Sequence, residues 1–121
     1  MPAFRFLFTA QDYQRTVDFY TKTLGLRVVE SWDDHGRGTI VAAADGQIEI
    51  FGDTGAGAPR VSGAALVWEV ADVDAEIDRL RIIGVEIVDP PSDRPWGLRT
   101  ASFDDPDGLR ITLFTVLEPS T

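Results

Sequence analysis

Phe4 to Thr9 is a mainly apolar, β-prone run, which predicts a strand. Ala10-Gln11-Asp12 follows, with Asp12 suited to cap a helix because its side-chain oxygen can accept from a backbone N–H in the first turn. The period then changes. Tyr13, Val17, Tyr20 and Leu24 recur at helical spacing, and Gly25 stands at the left-handed position that ends such a helix. Leu26 to Trp32 is a second strand, Asp33-Asp34-His35-Gly36 its turn, Gly38 to Ala44 the return strand and Gln47 to Phe51 a fourth. The order so far is β-α-β-β-β.

Gly52 to Pro59 has the composition of a linker, and after it the order begins again. Ala64 to Val70 is a strand and Asp72 a second cap. Val73, Ile77 and Leu80 form the helical stripe, and Gly84 is the stop. Val85 to Val88 is the next strand, Asp89 to Gly97 a long proline-stiffened loop, and Leu98 to Phe103 and Leu109 to Val116 the last two strands. Asp12 to Asp72 is a shift of 60 residues, Gly25 to Gly84 one of 59, and Ile48 to Ile111 one of 63. The final strands echo one another directly: Ile48-Glu49-Ile50-Phe51 lies over Ile111-Thr112-Leu113-Phe114, each behind an Asp-Gly pair expected to close a tight hairpin through the glycine's positive φ. A register held through strand, cap, helix, stop and final strand is an internal repeat. The expectation is one domain, 1–121, of class α+β. Its two tandem βαβββ modules, 3–52 and 62–116, are joined by a linker at 53–61 and form curved mixed sheets around a cavity.

Parity along the strands sorts the faces. Phe4, Phe6 and Phe8 should lie under the first helix with Ile48 and Ile50, and Leu66, Trp68 and Val70 under the second with Ile111 and Leu113. The opposite faces carry Arg5, Leu7, Thr9, Glu49 and Phe51 in the first module. In the second they carry Ala65, Val67, Glu69, Arg110, Thr112 and Phe114. These mixed faces must enclose water, a ligand or each other.

Composition narrows the function classes. With 121 residues, 44% of them hydrophobic, the chain can fill a core without staples, and it has no cysteine, which removes disulfides, thiolate nucleophiles and cysteine-based zinc sites together. The net charge of −9 argues against a nucleic-acid partner and favours a cationic ligand by steering. The start is too short an apolar run for a signal peptide and no run reaches membrane-spanning length, so a cytoplasmic protein without a membrane partner is expected. His35, the one histidine, falls at a hairpin tip with no orienting partner, and Gly55-Ala56-Gly57 is too short for a phosphate cradle.

The paired modules, Asp18-Phe19-Tyr20 before Leu24-Gly25-Leu26, Ala71-Asp72-Val73-Asp74, and Trp96-Gly97 ahead of Asp105-Pro106-Asp107-Gly108 resemble the vicinal-oxygen-chelate superfamily of glyoxalases, bleomycin resistance proteins and extradiol dioxygenases. The resemblance implies two curved four-stranded sheets around a cavity and a homodimer. It also implies a divalent metal held by His, Glu or Gln on the first and fourth strands of each module. Those positions here are Arg5, Glu49, Ala65 and Thr112, of which only Glu49 is a good ligand. No metal or other cofactor is therefore expected, and Arg5 and Glu49 are expected to pair in its place.

Trp68 has core parity, whereas Trp32, Trp96, Phe51 and Phe114 could wall a pocket for a flat ligand, with Arg94 and Arg99 flanking Trp96 at the entrance. The expected ligand-binding set is Arg5, Leu7, Trp32, Glu49, Phe51, Val67, Trp96, Arg99, Thr112 and Phe114, with no catalytic residue. The expected function is metal-free binding of a small aromatic natural product or antibiotic, as in bleomycin resistance. The alternatives are a metal-dependent lyase, isomerase or dioxygenase of the same superfamily, and an accessory protein holding a biosynthetic intermediate.

Overall fold

The structure is a computed structural model, described here for residues 4–34, 36–52 and 63–118. The linker at 53–61, His35 and Gly55-Ala56-Gly57 lie outside the described residues. The chain divides into two compact units, Met1–Ser62 and Gly63–Thr121.

Unit 1 holds strands β1 (Arg5–Thr9), β2 (Arg27–Trp32), β3 (Arg37–Ala43) and β4 (Gly46–Gly52) in the spatial order β1-β4-β3-β2, with helix α1 (Tyr13–Asp18) after the first strand. Unit 2 repeats this with β5 (Ala65–Glu69), α2 (Val73–Ile82), β6 (Ile87–Asp93), β7 (Leu98–Asp104) and β8 (Arg110–Val116), in the order β5-β8-β7-β6. In each sheet the first and fourth strands are parallel and the remaining pairs antiparallel. This is the tandem βαβββ architecture of two four-stranded mixed sheets, and neither sheet closes into a barrel.

Both helices start on an aspartate cap. Asp12 Oδ1 accepts from Arg15 N and Asp72 Oδ1 from Ala75 N, each three residues on, satisfying a donor the helix cannot. They end differently. In unit 2 the chain closes with Val85 N donating to Leu80 O, five residues back; in unit 1 the equivalent closure, Leu26 N to Tyr20 O, spans six. The extra residue is taken up in a π-helical turn, Phe19–Thr23, closed by Leu24 N to Phe19 O. The drop in repeat shift from 60 to 59 between cap and stop is that one residue. Gly25 and Gly84 both take positive φ, as a left-handed stop requires.

The core of each unit lies between its helix and one face of its sheet. Phe8, Tyr20, Val41, Ile48 and Ile50 are buried in unit 1, and Val73, Ile77, Leu80, Ala101, Phe103, Ile111 and Leu113 in unit 2. Phe4 departs from its expected place under the helix. It precedes the first ladder residue and is 75% exposed. Trp68 keeps helix-side parity opposite Leu113, but it sits on edge strand β5 and is only half-buried.

Two turns correct the expected Asp-Gly hairpins. Before β4 the positive φ falls on Ala44, and Gly46 is already the first residue of the strand, paired with Ala43. Before β8 the turn is longer, and buried Asp105 organises it: its Oδ1 accepts from Asp107 N and Leu109 N, while Gly108 takes the positive φ. The proline-rich stretch differs as well. Expected as a loop, Pro90 and Pro91 lie inside β6, in the irregular section between the pairs Asp89–Ser102 and Ser92–Thr100. β6 is an edge strand, where a missing N–H costs no ladder bond.

Candidate functional site

Each sheet has one face covered by its own helix and one that is not. The register places Leu7, Glu49, Ile40 and Glu30 in one row across the uncovered face of unit 1, and Thr9, Phe51, Gly38 and Trp32 in the next. Arg5, Gln47 and Ala42 form a third row. The face thus runs from an aromatic row through a row with a central carboxylate to a cationic one.

Glu49 is 8% exposed, and its Oε1 accepts from Arg5 Nη1 at 3.0 Å. Arg5 is held at a second point, where its Nε donates to Gln47 Oε1 at 3.1 Å. β1 and β4 are parallel neighbours, so residues two apart on β4 bracket a long side chain from β1, and the guanidinium lies across both. In the aromatic row Trp32 stands edge-on to Phe51, with centroids 5.8 Å apart and planes at 76°.

In unit 2 the uncovered face carries Ala65, Val67 and Glu69 on β5, Arg110, Thr112 and Phe114 on β8, and Thr100, Ser102 and Asp104 on β7. Ser102 and Thr112 share a hydroxyl hydrogen bond of 2.8 Å, and Arg110 Nε donates to Asp104 at 2.5 Å, which raises the Arg110 pKa. Val67 is exposed, and Trp96, in the turn between β6 and β7, is 68% exposed.

The structure therefore brings Arg5, Leu7, Trp32, Glu49 and Phe51 onto one face, and Val67, Thr112 and Phe114 onto the corresponding face of unit 2. Arg99 stands apart. It pairs across the sheet with Thr115, on the helix-covered side, where its Nε and Nη2 donate to both oxygens of Asp74 and its Nη1 to Asp93. Arg94, its partner in the expected entrance, donates from Nε to Thr100 Oγ1 at 2.8 Å.

The Arg99 fork ties α2 to β6 and β7, and the side-chain hydrogen bond it gives holds the Asp74 pKa below the usual carboxylate value. A carboxyl whose pKa is lower folded than unfolded contributes stability above its unfolded pKa and loses it as pH falls through the folded one. Asp74→Asn is therefore expected to lower the thermal midpoint at pH 7, with the gap from the parent closing below about pH 4. A gap that stays constant from pH 7 to pH 3 would show that the fork carries no linked proton.

A cleft that sequence reasoning missed lies on the helix-covered side of unit 1, with a volume of about 470 Å³. Its lining includes Tyr13, Gln14, Ser31, Trp32, Arg37 and Thr39, so one residue of the expected ligand-binding set, Trp32, borders it as well. Tyr13 donates or accepts at Thr39 Oγ1 over 2.5 Å, Thr39 meets Ser31 over 3.2 Å, and the Arg37 guanidinium stacks 4.6 Å above the Tyr13 ring. Gly52 seats the tyrosine: a Cβ there would lie 2.7 Å from the Tyr13 ring.

The four positions at which the resemblance expects metal ligands do not fit a divalent metal. Unit 1 offers one carboxylate already bonded to a permanent cation. Unit 2 offers the methyl of Ala65 and a Thr112 hydroxyl engaged with Ser102. Among the described residues no group of three or more His, Cys, Asp or Glu is placed to hold a metal ion, and no helix is long and apolar enough to cross a membrane.

A family model described as Glyoxalase/Bleomycin resistance protein/Dioxygenase superfamily matches residues 4–113. Among solved structures, TnmS3, an antibiotic binding protein from Streptomyces sp. CB03234, is 34% identical with a TM-score of 0.79, over 99% of this chain and 97% of its own. A glyoxalase/bleomycin resistance protein from the same organism is 34% identical with a TM-score of 0.78, over 94% of this chain and 100% of its own. A superfamily member from Sphaerobacter thermophilus DSM 20745 is 26% identical, with a TM-score of 0.79 over 94% and 96%. No curated protein matches the chain.

Proposed function

Starting from the fact that the chain belongs to the glyoxalase/bleomycin resistance protein/dioxygenase superfamily, we propose that it is a metal-free binding protein that sequesters a small aromatic natural product or antibiotic. The observation that carries this reading is the Arg5–Glu49 bond. A guanidinium occupies the carboxylate that the family's metal chemistry would need, so the uncovered face of unit 1 is built to bind and not to polarise a substrate. Likeness to a protein named as antibiotic binding supports the same reading.

The chemistry is stoichiometric. Trp32 and Phe51 offer apolar area and ring edges for a flat ligand, and Glu49 offers acceptor capacity beyond its one bond to Arg5. Leu7 widens the apolar floor next to Glu49, and the net charge of −9 draws a cationic ligand toward it. A homodimer is part of the proposal, checked by sedimentation.

The test is titration with a panel of polycyclic aromatic antibiotics, followed by tryptophan quenching, beside metal analysis of protein purified without chelator or immobilised nickel. Binding of one class at one ligand per site with negligible metal is expected. One tightly held divalent metal per chain would overturn the reading and make the enzyme alternative the leading one.

A further inference from the structure

Trp32, Gly38 and Phe51 lie opposite one another on β2, β3 and β4 and present to the same uncovered face. A Cβ built on Gly38 would fall inside the Trp32 indole, 2.5 Å from Cε2, 2.6 Å from Cη2 and closer still to Cζ2. Such separations do not occur between real atoms, so the indole occupies the place of the missing side chain. The backbone at Gly38 is ordinary strand and does not take the positive φ that explains Gly25, Gly36, Gly84, Gly97 and Gly108. Its lack of a Cβ therefore has a steric reason and no conformational one.

We propose that Gly38 is the positioning residue of the aromatic wall: by leaving a bare shelf on β3 it lets Trp32 fold inward across the sheet and meet Phe51 edge-on. β2 is the edge strand, and without that shelf the indole would swing off the sheet into solvent. The shelf also sets the ligand class. The Trp32–Phe51 row adjoins the row of Ile40 and Glu49, so the wall presents a planar aromatic ring to a half-satisfied carboxylate beside it. The ligand it fits is a planar aromatic with a proton donor on its rim, such as a ring N–H⁺ or a phenol. The ligand class rests on the function proposed above; the role of Gly38 in placing Trp32 does not.

Four proteins test this: the parent, Gly38→Ala, Trp32→Ala and the double variant. The readouts are thermal midpoint, near-ultraviolet circular dichroism, and affinity for proflavine, a planar aromatic cation with N–H donors. In the parent background Gly38→Ala is expected to lower the midpoint, alter the aromatic dichroism and weaken proflavine binding about tenfold, the scale of one lost aromatic contact. In the Trp32→Ala background the same change meets open space. It should then leave affinity within about twofold and hold or raise the midpoint, since alanine restricts the unfolded chain more than glycine. Equal losses in both backgrounds would overturn the proposal, as would an unchanged midpoint and dichroism in the single variant. A parent that binds no proflavine, with the coupling in midpoint and dichroism intact, overturns the ligand class and upholds the positioning role.

Discussion

Phe103→Ala is expected to cost about 3–5 kcal/mol of stability, the range for emptying a fully buried aromatic site that the surroundings cannot collapse to fill. Phe103 has no exposed surface. It lies between Ile111 on β8 and Ile87 on β6 and faces α2, whose Val73, Ile77 and Leu80 are also fully enclosed. All of these come from regular elements pinned by ladder bonds or helix caps, so little backbone is free to move inward. The equivalent place in unit 1 is Val41, opposite Ile48 as Phe103 is opposite Ile111. Val41→Ala removes two methyl groups and should cost roughly 2 kcal/mol. Urea denaturation measures both. A loss under about 1 kcal/mol for Phe103→Ala would mean that α2 does not pack on β7 as described.

That core was legible because its pattern is periodic. Strand alternation and the helical stripe assigned Phe8, Ile48 and Ile50, and Ile77, Leu80, Ile111 and Leu113, to the helix-covered faces, where each is buried. The same parity put Arg5, Glu49 and Phe51 together on the other face, and the parallel register confirms it. Parity does not say where a strand starts or how wide its cover is, so Phe4 and Trp68 are more exposed than parity alone predicts.

Local exceptions were harder to read. Pro90 and Pro91 mark a loop wherever a strand needs its N–H groups, and only an edge position removes that need. Gly46 follows Asp45 as Gly108 follows Asp107, yet only Gly108 takes the left-handed conformation, because the first turn is three residues shorter between its last ladder pairs and bends at Ala44. Arg99 is near Trp96 in sequence, which suggests an entrance residue, but it lies on β7 opposite Thr115, and that parity carries its guanidinium to the helix-covered side and Asp74. The shelf at Gly38 and the seat at Gly52 needed coordinates: both depend on where a large ring from a different element comes to rest.

The Arg5–Glu49 pair makes an asymmetric prediction. The Arg5 side chain is 43% exposed and the Glu49 side chain 10%, so the two partners leave different things behind when removed. Arg5→Leu strands a carboxylate that water barely reaches, and takes the donor that Gln47 Oε1 and Glu49 Oε1 share. The expected cost is about 1–3 kcal/mol, below the figure for a wholly buried pair because Arg5 was partly solvated to begin with. Glu49→Gln leaves a guanidinium that solvent can hydrate and an amide oxygen that can still accept from it. Its cost should stay under about 1 kcal/mol. The double variant Arg5→Leu/Glu49→Gln should recover part of the Arg5→Leu loss, which a simple sum of packing defects would not do. Equal costs for the two single variants would mean that the carboxylate is solvated. Removing the guanidinium also tests what it replaced. If the face has lost its metal chemistry because its other ligands are missing, then Arg5→Leu exposes one carboxylate and takes up no stoichiometric zinc or nickel, since such ions need three or four protein donors. Tight metal uptake by that variant would mean that the guanidinium alone was keeping an ion out, and that the face is one substitution from a metal centre.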